Sequence, residues 1–391
     1  MKQAAKANRR SRRLTYGFRA ITLLIILLIC EGALRLLTPP TFLQGTYPNW
    51  PWLIMDPVVG WKNRAGFPPP EINPTPYRIN SLGFRGAEFT KAKPGGASRI
   101  VCLGDSGTFG IRRTTLSEES ETVVMRMDND YPRKLAQLLQ VEGPANVEVI
   151  NAGVIGYTSS HGLRLLNTEI LDLHPDIITI RFGFNDHLLA WNRSLVPEEP
   201  ANSVIRGLYY NFLHWRMTRI FLRIYKDAWS RHPEWNEGPW VSVERFKANL
   251  HRFAEVGRKE GFHVLLLDYP LRPLSWGKIP SEHIVIKRSG QKDQRELYQL
   301  HKRYQQAIRK VAREERIPLL ETAEQLHGPD PHAYGDLDFT HPNNYGSREI
   351  ARLLREKLIE LNWISGVGSG LRGRGRPGSS SLWVAGISPG P

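Results

Sequence analysis

Short apolar runs alternate with longer stretches of helical periodicity from residue 99 onward, and this alternation restricts the possible folds more than any other feature. Runs rich in β-branched residues predict strands at 99–103, 147–150, 176–182, 262–268 and 317–320. Helical patterns lie after or between them, at about 131–141, 160–172, 243–260, 292–315 and 344–362. Strands that alternate with helices form parallel sheets covered on both faces, so we predict an α/β fold with about five parallel strands.

Four short motifs stand beside the ends of these elements: Gly104-Asp105-Ser106, Asn151-Ala152-Gly153, Gly183-Phe184-Asn185-Asp186 and Asp338-Phe339-Thr340-His341. In open parallel sheets, ligands bind outside the carboxyl ends of the strands. Because Ser106, Gly153 and Asn185 each follow a predicted strand closely, we expect them to meet at one edge of the sheet. Acyl transfer by a serine needs a nucleophile, a base, a carboxylate and N–H donors, and the four motifs supply all of these.

The predicted catalytic triad consists of Ser106, His341 and Asp338. A serine hydroxyl is a weak nucleophile unless a base takes its proton, and His341 is the candidate base. Asp338 lies three residues earlier, where its carboxylate can accept a hydrogen bond from the imidazole and stabilise the imidazolium. Other histidines lie near the motifs without a carboxylate in this arrangement: His161, His187 and His332.

The predicted oxyanion hole combines the backbone N–H groups of Ser106 and Gly153 with the side-chain amide of Asn185. Glycine at 153 lets the backbone approach a substrate without a Cβ atom, and a neutral amide at 185 donates where a carboxylate would repel the charge. The glycine-rich turn at 104–107 matches neither a phosphate-binding loop nor the Gly-x-Ser-x-Gly turn of the α/β-hydrolases.

Together these motifs resemble the four sequence blocks of the SGNH hydrolases, the GDSL-type esterases and lipases, across roughly residues 99–361. The resemblance implies a three-layer α/β/α, flavodoxin-like fold. It also assigns the roles given above to the same residues: Ser106, Gly153, Asn185, Asp338 and His341. Residues 77–86 are similar to membrane-anchored bacterial members of the family. The chemistry that the family implies is ester cleavage through an acyl-enzyme.

Composition argues against nucleic-acid binding and gives no sign of a metal site. The net charge is +15, but seven basic residues lie in 1–19 and three in 362–391, so residues 20–361 carry only +5. No pair of Cys or His residues has the spacing of a zinc site next to a third ligand. Cys30 and Cys102 fall in apolar segments and are predicted to be buried thiols without a disulfide.

A basic N-terminal segment precedes an apolar one, which is the pattern of a membrane anchor. Residues 1–19 contain seven Lys or Arg and no acidic residue, and 20–37 are almost entirely apolar. A helix over 20–37 reaches ~27 Å, enough to cross a thin bilayer. The basic flank predicts a cytoplasmic tail at 1–19, a single pass through the inner (plasma) membrane and a catalytic domain on the periplasmic side. A cleaved signal peptide with its apolar core at 20–30 is the alternative, and a buried globular helix is disfavoured by the flanking cations.

The rest of the chain is predicted to form three segments. Residues 38–98 contain eleven prolines and are expected to be an extended arm packed on the domain. The hydrolase domain spans 99–361, with an aromatic-rich insert at 188–242 that forms either a helical subdomain with its own core or a lid. Residues 362–391 form a tail, which is rich in Gly, Ser, Pro and Arg from 366 and is expected to be disordered.

The sequence therefore predicts an exported, membrane-anchored serine ester hydrolase that cleaves an acyl or acetyl ester. The expected substrate is an ester on a cell-envelope polysaccharide, with a lipid ester as an alternative. The same residues would also support an O-acyltransferase that passes the acyl group to a glycan. A non-enzymatic envelope scaffold is disfavoured because the set of catalytic residues is complete. No cofactor, metal ion or nucleic-acid partner is expected.

Overall fold

The secondary structure follows the predicted alternation of strands and helices. The computed structural model describes residues 2–37, 45–47, 50–56, 58–67, 78–115, 123–126, 130–142, 146–189, 204–205, 208, 212, 215–229, 239–273, 286, 289–326, 333–334 and 340–364. The strands are β1 Gly45–Tyr47, β2 Trp50–Asp56, β3 Gly60–Asn63, β4 Ser98–Gly104, β5 Arg112–Thr115, β6 Val123–Arg126, β7 Val147–Gly153, β8 Ile177–Arg181, β9 His263–Leu267 and β10 Leu319–Leu320. The helices are α1 Lys2–Leu37, α2 Ser106–Phe109, α3 Tyr131–Glu142, α4 Ser159–Leu165, α5 Arg216–Trp229, α6 Val243–Glu260, α7 Gln294–Glu315, α8 Thr322–Leu326 and α9 Asn344–Glu360. A π-helical turn Leu166–Ile170 and a 3-10 turn Leu171–Leu173 extend α4, and a second 3-10 turn is Asn185–His187.

The central sheet has five parallel strands in the spatial order β7-β4-β8-β9-β10. In chain order this is 2-1-3-4-5, the doubly wound arrangement of flavodoxin-like folds, which confirms the predicted fold class. The strand order reverses between β4 and β8, so a crevice opens there beyond the carboxyl ends of the strands. The register places Gly104 beside Gly153 on one side and beside Arg181 on the other. The ends of three strands are therefore level at this edge.

Alternate residues of the sheet pack into two cores, one on each face. On one face, Val101 and Leu103 of β4 pack with apolar side chains of α4, α6 and α7. On the other face, Ile100 and Cys102 pack with side chains of α3 and α9. All four of these β4 side chains are completely buried. A strand that is covered on both faces must be apolar throughout, which explains the continuous apolar run in the sequence.

Part of the proline-rich segment folds into a small antiparallel sheet, β1-β2-β3, which the sequence analysis did not predict. Within these strands proline occurs only at Pro51, near the start of β2 and beside an irregularity in its pairing with β1, where a missing N–H is tolerated. Trp61 of β3 donates from Nε1 to the Ile155 carbonyl at 2.9 Å, and its own carbonyl accepts from the Tyr157 hydroxyl at 2.6 Å. These bonds hold the segment against the loop that follows β7.

Helix α1 contains the predicted membrane segment. Its stretch Thr15–Leu37 is long and apolar enough to cross a membrane, with a window of mean hydropathy 2.3 of which 6% is buried against the rest of the chain. A core helix of a soluble domain would be mostly buried, so this exposure disfavours the globular alternative, while a membrane span and a signal sequence both fit. Both cysteines are free thiols: Cys102 is buried as predicted, whereas Cys30 is exposed on α1.

Parts of the predicted segments lie outside the described residues. Among them are the triad candidate Asp338, the tail from 365 onward and most of the insert. The insert aromatics that fall outside are Trp191, Tyr209, Tyr210 and Trp235. The predicted segment boundaries at 19, 37, 98 and 361 stay predictions.

Candidate active site

The serine motif forms a tight turn between β4 and α2. Strand β4 ends at Gly104, and Asp105 caps α2 by accepting a hydrogen bond on Oδ1 from the Gly107 N–H at 2.8 Å. Ser106 is therefore the first residue of the helix, at the carboxyl end of the sheet. A Cβ atom at position 104 would collide with the side chain of Thr108, so the turn closes this tightly only around glycine.

The hydroxyl of Ser106 and the imidazole of His341 are hydrogen-bonded, although 235 residues separate them in the sequence. The distance from Oγ to Nε2 is 2.8 Å, and both residues are largely buried. His341 lies two residues before Asn343, which caps the N-terminus of α9. On the other side of the ring, Oγ1 of Thr340 lies 3.0 Å from Nδ1. The predicted third member of the triad, Asp338, lies outside the described residues.

The two described histidines that compete with His341 are both engaged elsewhere. His161 is buried, and its Nδ1 takes part in the N-terminal cap of α4. His187 is completely buried, and its Nε2 lies 3.1 Å from Nδ1 of His301. Burial, together with the neighbouring His301, lowers the pKa of His187 well below its usual value, so this imidazole stays neutral. His332 lies outside the described residues.

Gly153 is the last residue of β7 and packs directly against α2. A Cβ atom here would collide with the backbone of Phe109. The Gly153 N–H donates to Oδ1 of Asn151 at 2.9 Å, and Nδ2 of Asn151 donates to the Thr108 carbonyl at 2.9 Å. The Gly153 carbonyl accepts from Nδ2 of Asn63 in β3 at 3.0 Å. The second motif therefore joins the sheet, helix α2 and the proline-rich segment.

Asn185 follows β8 in a 3-10 turn, and its amide is held from two sides. Nδ2 donates to Oδ2 of Asp105 at 3.1 Å and to the Tyr157 carbonyl at 3.0 Å. By contrast, the Ser106 N–H makes no hydrogen bond to any residue that the structure describes. Of the three predicted oxyanion donors, only Ser106 has an N–H without a hydrogen bond to a described residue. The N–H groups of Gly153 and Asn185 already donate within the protein, so each would have to share or give up one of these bonds in order to bind an oxyanion.

Asp186 fixes the turn that carries Asn185. Its buried carboxylate accepts from the backbone N–H of Ser159 at 3.0 Å, from the Ser159 hydroxyl at 2.5 Å and from the Gly183 N–H at 3.1 Å. These bonds connect the end of β8 to the start of α4. No role was predicted for Asp186 from the sequence, although an acidic residue beside a glycine turn after an apolar strand indicates such a position.

Arg181, the last residue of β8, is completely buried. No role was predicted for it from the sequence. Its guanidinium carbon lies 4.4 Å from the ring centre of Tyr269 and 5.8 Å from that of Tyr131. None of its guanidinium nitrogens hydrogen-bonds to a residue in the described part of the chain. It also lies against Gly107, where an added Cβ would meet the guanidinium. The signal available in the sequence was a single charged residue ending an otherwise apolar strand.

Burial raises the pKa values of the two carboxyl groups beside the serine turn. The pKa of Asp105 rises to about 6 because of burial, against which the positive charge of Arg181 acts. The pKa of Asp186 rises to about 7, where burial and the nearby charge of Asp105 outweigh the hydrogen bonds from Ser159. Two carboxylates in one buried region repel each other, so protonation of one of them removes the repulsion that disfavours the charge on the other.

These raised pKa values predict that the two carboxyl groups stabilise the fold more as the pH falls from about 7.5 to about 5. Between the usual aspartate pKa of 3.8 and the raised pKa values of these groups, the folded state binds more protons than the unfolded state. Stability is therefore lost as the pH rises through the folded pKa values, with a slope of up to about 1.4 kcal/mol per pH unit for one group. Urea unfolding of Asp186→Asn in this range should show a shallower dependence of the unfolding free energy on pH.

Asp172→Asn is the matched control for this experiment. Asp172 is exposed, and its carboxylate pairs with Lys91 at 2.9 Å on the surface. Its removal takes away a surface charge but keeps Asp105 and Asp186, so the pH dependence of the unfolding free energy that these two groups produce should remain. Identical slopes for Asp186→Asn and the wild type would show that Asp186 does not titrate in the way described.

The described groups at this edge of the sheet are those of nucleophilic acyl chemistry. A hydroxyl is bonded to an imidazole, and it belongs to the first residue of a helix, where backbone N–H groups have no partner within the helix. Across the described residues, no group of three or more His, Cys, Asp or Glu side chains is arranged to hold a metal ion.

A comparison with protein-family models finds a match to the GDSL-like lipase/acylhydrolase family over residues 102–349. The chain belongs to this family. The matched region begins in β4 and ends in α9, and it contains all four motifs. The family assignment confirms the resemblance seen in the sequence and makes this GDSL-like hydrolase an enzyme that acts on carboxylic esters.

Several solved structures are similar to this GDSL-like hydrolase. A lipase/acylhydrolase from Enterococcus faecalis is 18% identical with a TM-score of 0.41, covering 70% of this chain and 100% of that one. A catalytic mutant of an acetylxylan esterase from Geobacillus stearothermophilus is 15% identical with a TM-score of 0.41, covering 68% of this chain and 96% of that one. An alpha/beta hydrolase enzyme from the metagenome of Lake Arreo, Spain, is 17% identical with a TM-score of 0.40, covering 66% and 93%. A search of curated proteins gives no match.

Proposed function

We propose that this GDSL-like hydrolase works through a covalent acyl-enzyme, with Ser106 as the nucleophile and His341 as the general base. The observation that carries the proposal is the 2.8 Å hydrogen bond between Ser106 Oγ and His341 Nε2. In the first step Nε2 accepts the serine proton while Oγ forms a bond to the ester carbonyl carbon. The imidazolium then gives this proton to the leaving alcohol oxygen as the ester C–O bond breaks.

Hydrolysis of the acyl-enzyme uses the same two residues in reverse. His341 takes a proton from a water molecule as the water oxygen attacks the acyl carbonyl, and it then returns the proton to Ser106 Oγ as the acid leaves. Throughout, Nδ1 of His341 must keep its hydrogen so that Nε2 is free to accept. We assign this orienting role to the Asp338 carboxylate, and the Thr340 hydroxyl, 3.0 Å from Nδ1, is a second acceptor for the same hydrogen.

The proposed oxyanion hole is formed by the Ser106 N–H, the Gly153 N–H and the Asn185 amide. The Ser106 N–H points from the first turn of a helix, where backbone donors have no partner within the helix. Asn185 already faces the serine turn through its bond to Asp105. Its second bond goes to a neutral carbonyl, that of Tyr157, and an anionic oxygen is the stronger acceptor for that N–H. We therefore expect the oxyanion to replace the Tyr157 carbonyl.

Replacement of Asn185 by alanine is expected to lower kcat by about 10²–10³-fold, as for the loss of one oxyanion donor. The rate of p-nitrophenyl acetate hydrolysis at saturating substrate measures this effect. Asn80→Ala is the matched control, because its buried amide also makes hydrogen bonds, from Nδ2 to the Ala87 carbonyl and to Oδ1 from the Leu82 and Phe84 N–H groups. Both variants lose buried bonds and some stability, but only Asn185→Ala should lose turnover. Equal turnover in the two variants would remove Asn185 from the oxyanion hole.

We further propose that α1 anchors the enzyme in the inner membrane as a single span, with the catalytic domain on the periplasmic side. Three features support the anchor: the length and apolar character of Thr15–Leu37, its exposure, and the cluster of basic residues that precedes it. Glu31 and Arg35 near its C-terminal end form an ion pair at 2.7 Å, which reduces the cost of placing both charges at a membrane interface.

The proposed substrate is an acetyl or other acyl ester on a cell-envelope polysaccharide, because an enzyme held at the outer face of this membrane meets the envelope first. A panel of p-nitrophenyl esters from acetate to palmitate, together with acetylated xylan and acetylated peptidoglycan, tests this choice. We expect acetate to be cleaved fastest and acetate to be released from a glycan. Fastest cleavage of palmitate would indicate a lipid esterase instead. Acetylation of an added glycan in place of acetate release would indicate an acyltransferase.

A further inference from the structure

Helix α5, in the insert, begins directly on the C-terminal end of α1. Glu31 of α1 is buried, and its carboxylate accepts the backbone N–H groups of Arg216 at 2.9 Å and Met217 at 3.1 Å. The Arg216 guanidinium in turn donates to the Leu34 carbonyl at 3.2 Å. The first N–H groups of a helix have no partner within it, so a carboxylate from a second helix satisfies them and determines where α5 begins.

The sequence of α5 separates cationic from apolar positions. Among its 14 residues, four are basic and one is acidic. Successive residues of a helix are about 100° apart around its axis. Arg216 and Arg219 therefore lie about 60° from each other on one side of the helix. Phe221 and Ile224 also lie about 60° from each other, and the centre of their side is roughly 140° around the axis from that of the two arginines. A helix with this division of charge and apolar surface is typical of a membrane interface.

Arg216 and Arg219 of α5 are half-buried, whereas Phe221 and Ile224 are exposed. Burial raises the pKa of Asp56 in β2, but the positive charges of Lys62 and Arg219 lower it, and the net shift is downward. The side of α5 that carries Phe221 and Ile224 is exposed, with these residues 66% and 64% accessible.

Six large apolar side chains of the insert are exposed, and we call them the insert patch: Val204, Ile205, Leu208, Phe212, Phe221 and Ile224. Their exposed fractions lie between 49% and 70%. Val204, Leu208 and Phe212 are four residues apart in the sequence, and each is in helical conformation. A soluble surface rarely gathers so many large apolar side chains without a binding partner.

We infer that the insert patch is a second membrane contact, seated in the lipid interface beside α1. The inference rests on the proposed anchoring of the chain by α1. We assign lipid as the partner of the insert patch for a positional reason. Glu31 lies near the C-terminal end of the apolar segment Thr15–Leu37, and its hydrogen bond to Arg216 holds the start of α5 there, which is the depth of the lipid interface. The excess of basic residues in α5 also suits anionic lipid headgroups. Two contacts would fix the orientation of the catalytic domain on the membrane, where one helix alone allows it to rotate.

Spin-label accessibility in the full chain tests this inference. The exposed thiol is removed by Cys30→Ala, and single labels are introduced by Phe221→Cys and Ile224→Cys, with Ile25→Cys as the lipid reference and Lys259→Cys on α6 as the water reference. The protein is placed in vesicles of phosphatidylethanolamine and phosphatidylglycerol, and collisions of each label with oxygen and with a nickel chelate are compared. We expect the labels at 221 and 224 to favour oxygen, like the label at 25 and unlike the label at 259. Adding Glu31→Ala should shift the labels at 221 and 224 toward water while the label at 25 is unchanged.

The outcomes separate this inference from the proposed anchor. Preference for the nickel chelate at 221 and 224, with preference for oxygen at 25, overturns the insert patch as a lipid contact and leaves the anchor intact. Preference for the nickel chelate at 25 as well overturns both. Low accessibility to both reagents at 221 and 224 means that another protein, or a second copy of this chain, covers the patch, and this too overturns the inference.

Discussion

Replacing Ser106 by alanine is expected to lower kcat for ester hydrolysis by about 10⁴–10⁶-fold, the range seen when a serine hydrolase loses its nucleophile. Without Oγ no acyl-enzyme forms, and only the remaining N–H donors and substrate positioning accelerate the attack of water. The turn itself should stay folded, because its N-terminal cap is made by Asp105 and not by the serine side chain. Release of p-nitrophenol under saturating substrate gives kcat, and circular dichroism checks the fold.

Ser289→Ala provides the matched control for the serine substitution. Ser289 is also buried, and its hydroxyl donates to the Ile286 carbonyl at 2.7 Å and not to a histidine. Its removal should leave kcat close to that of the wild type. Near wild-type turnover in folded Ser106→Ala would mean that the chemistry is carried by another residue.

His341→Ala is expected to lower kcat by a similar factor, because nucleophile and base act as one unit. For the same reason the double variant Ser106→Ala/His341→Ala should be no slower than either single variant. His251→Ala is the control: His251 is partly exposed and its imidazole lies 2.5 Å from the Glu315 carboxylate on the surface. Additive losses in the double variant would contradict a shared step, and the hydrogen bond between Ser106 and His341 would then have no catalytic meaning.

The group that orients His341 can be tested in the same assay. If the Asp338 carboxylate holds the Nδ1 hydrogen, Asp338→Asn should cost up to about 10⁴-fold in kcat, since the wrong tautomer of the imidazole is favoured. Thr340→Val removes the hydroxyl that lies 3.0 Å from Nδ1 and should cost much less. A larger loss in Thr340→Val would transfer the orienting role from Asp338 to Thr340.

The parallel sheet could be predicted from the sequence because each strand is buried on both faces. Burial forces continuous apolar runs, and β4 and β8 accordingly lie within one residue of the predicted 99–103 and 176–182. The antiparallel sheet β1-β2-β3 was not predicted, because its strands are short and lie among prolines that normally break regular structure. Pairing between such segments depends on contacts with the domain, such as that of Trp61 with Ile155, which local patterns do not record.

At the site, the sequence indicated which residues carry chemistry but not how their hydrogen bonds are shared. Motifs at strand ends predicted that Ser106 and His341 would be neighbours, and the structure places them 2.8 Å apart. The bonds from Asn185 to Asp105 and to the Tyr157 carbonyl join residues that are 80 and 28 positions apart, so no spacing rule reveals them. Arg181 is found only when a charged residue in an apolar strand is treated as a signal.

The most direct test of the account is covalent labelling with a fluorophosphonate, followed by mass spectrometry of the peptides. We predict a single adduct on the Oγ of Ser106 in the folded wild type, no adduct in Ser106→Ala and strongly slowed labelling in His341→Ala. A folded enzyme that cleaves esters yet carries its adduct on a different residue would contradict the central claim.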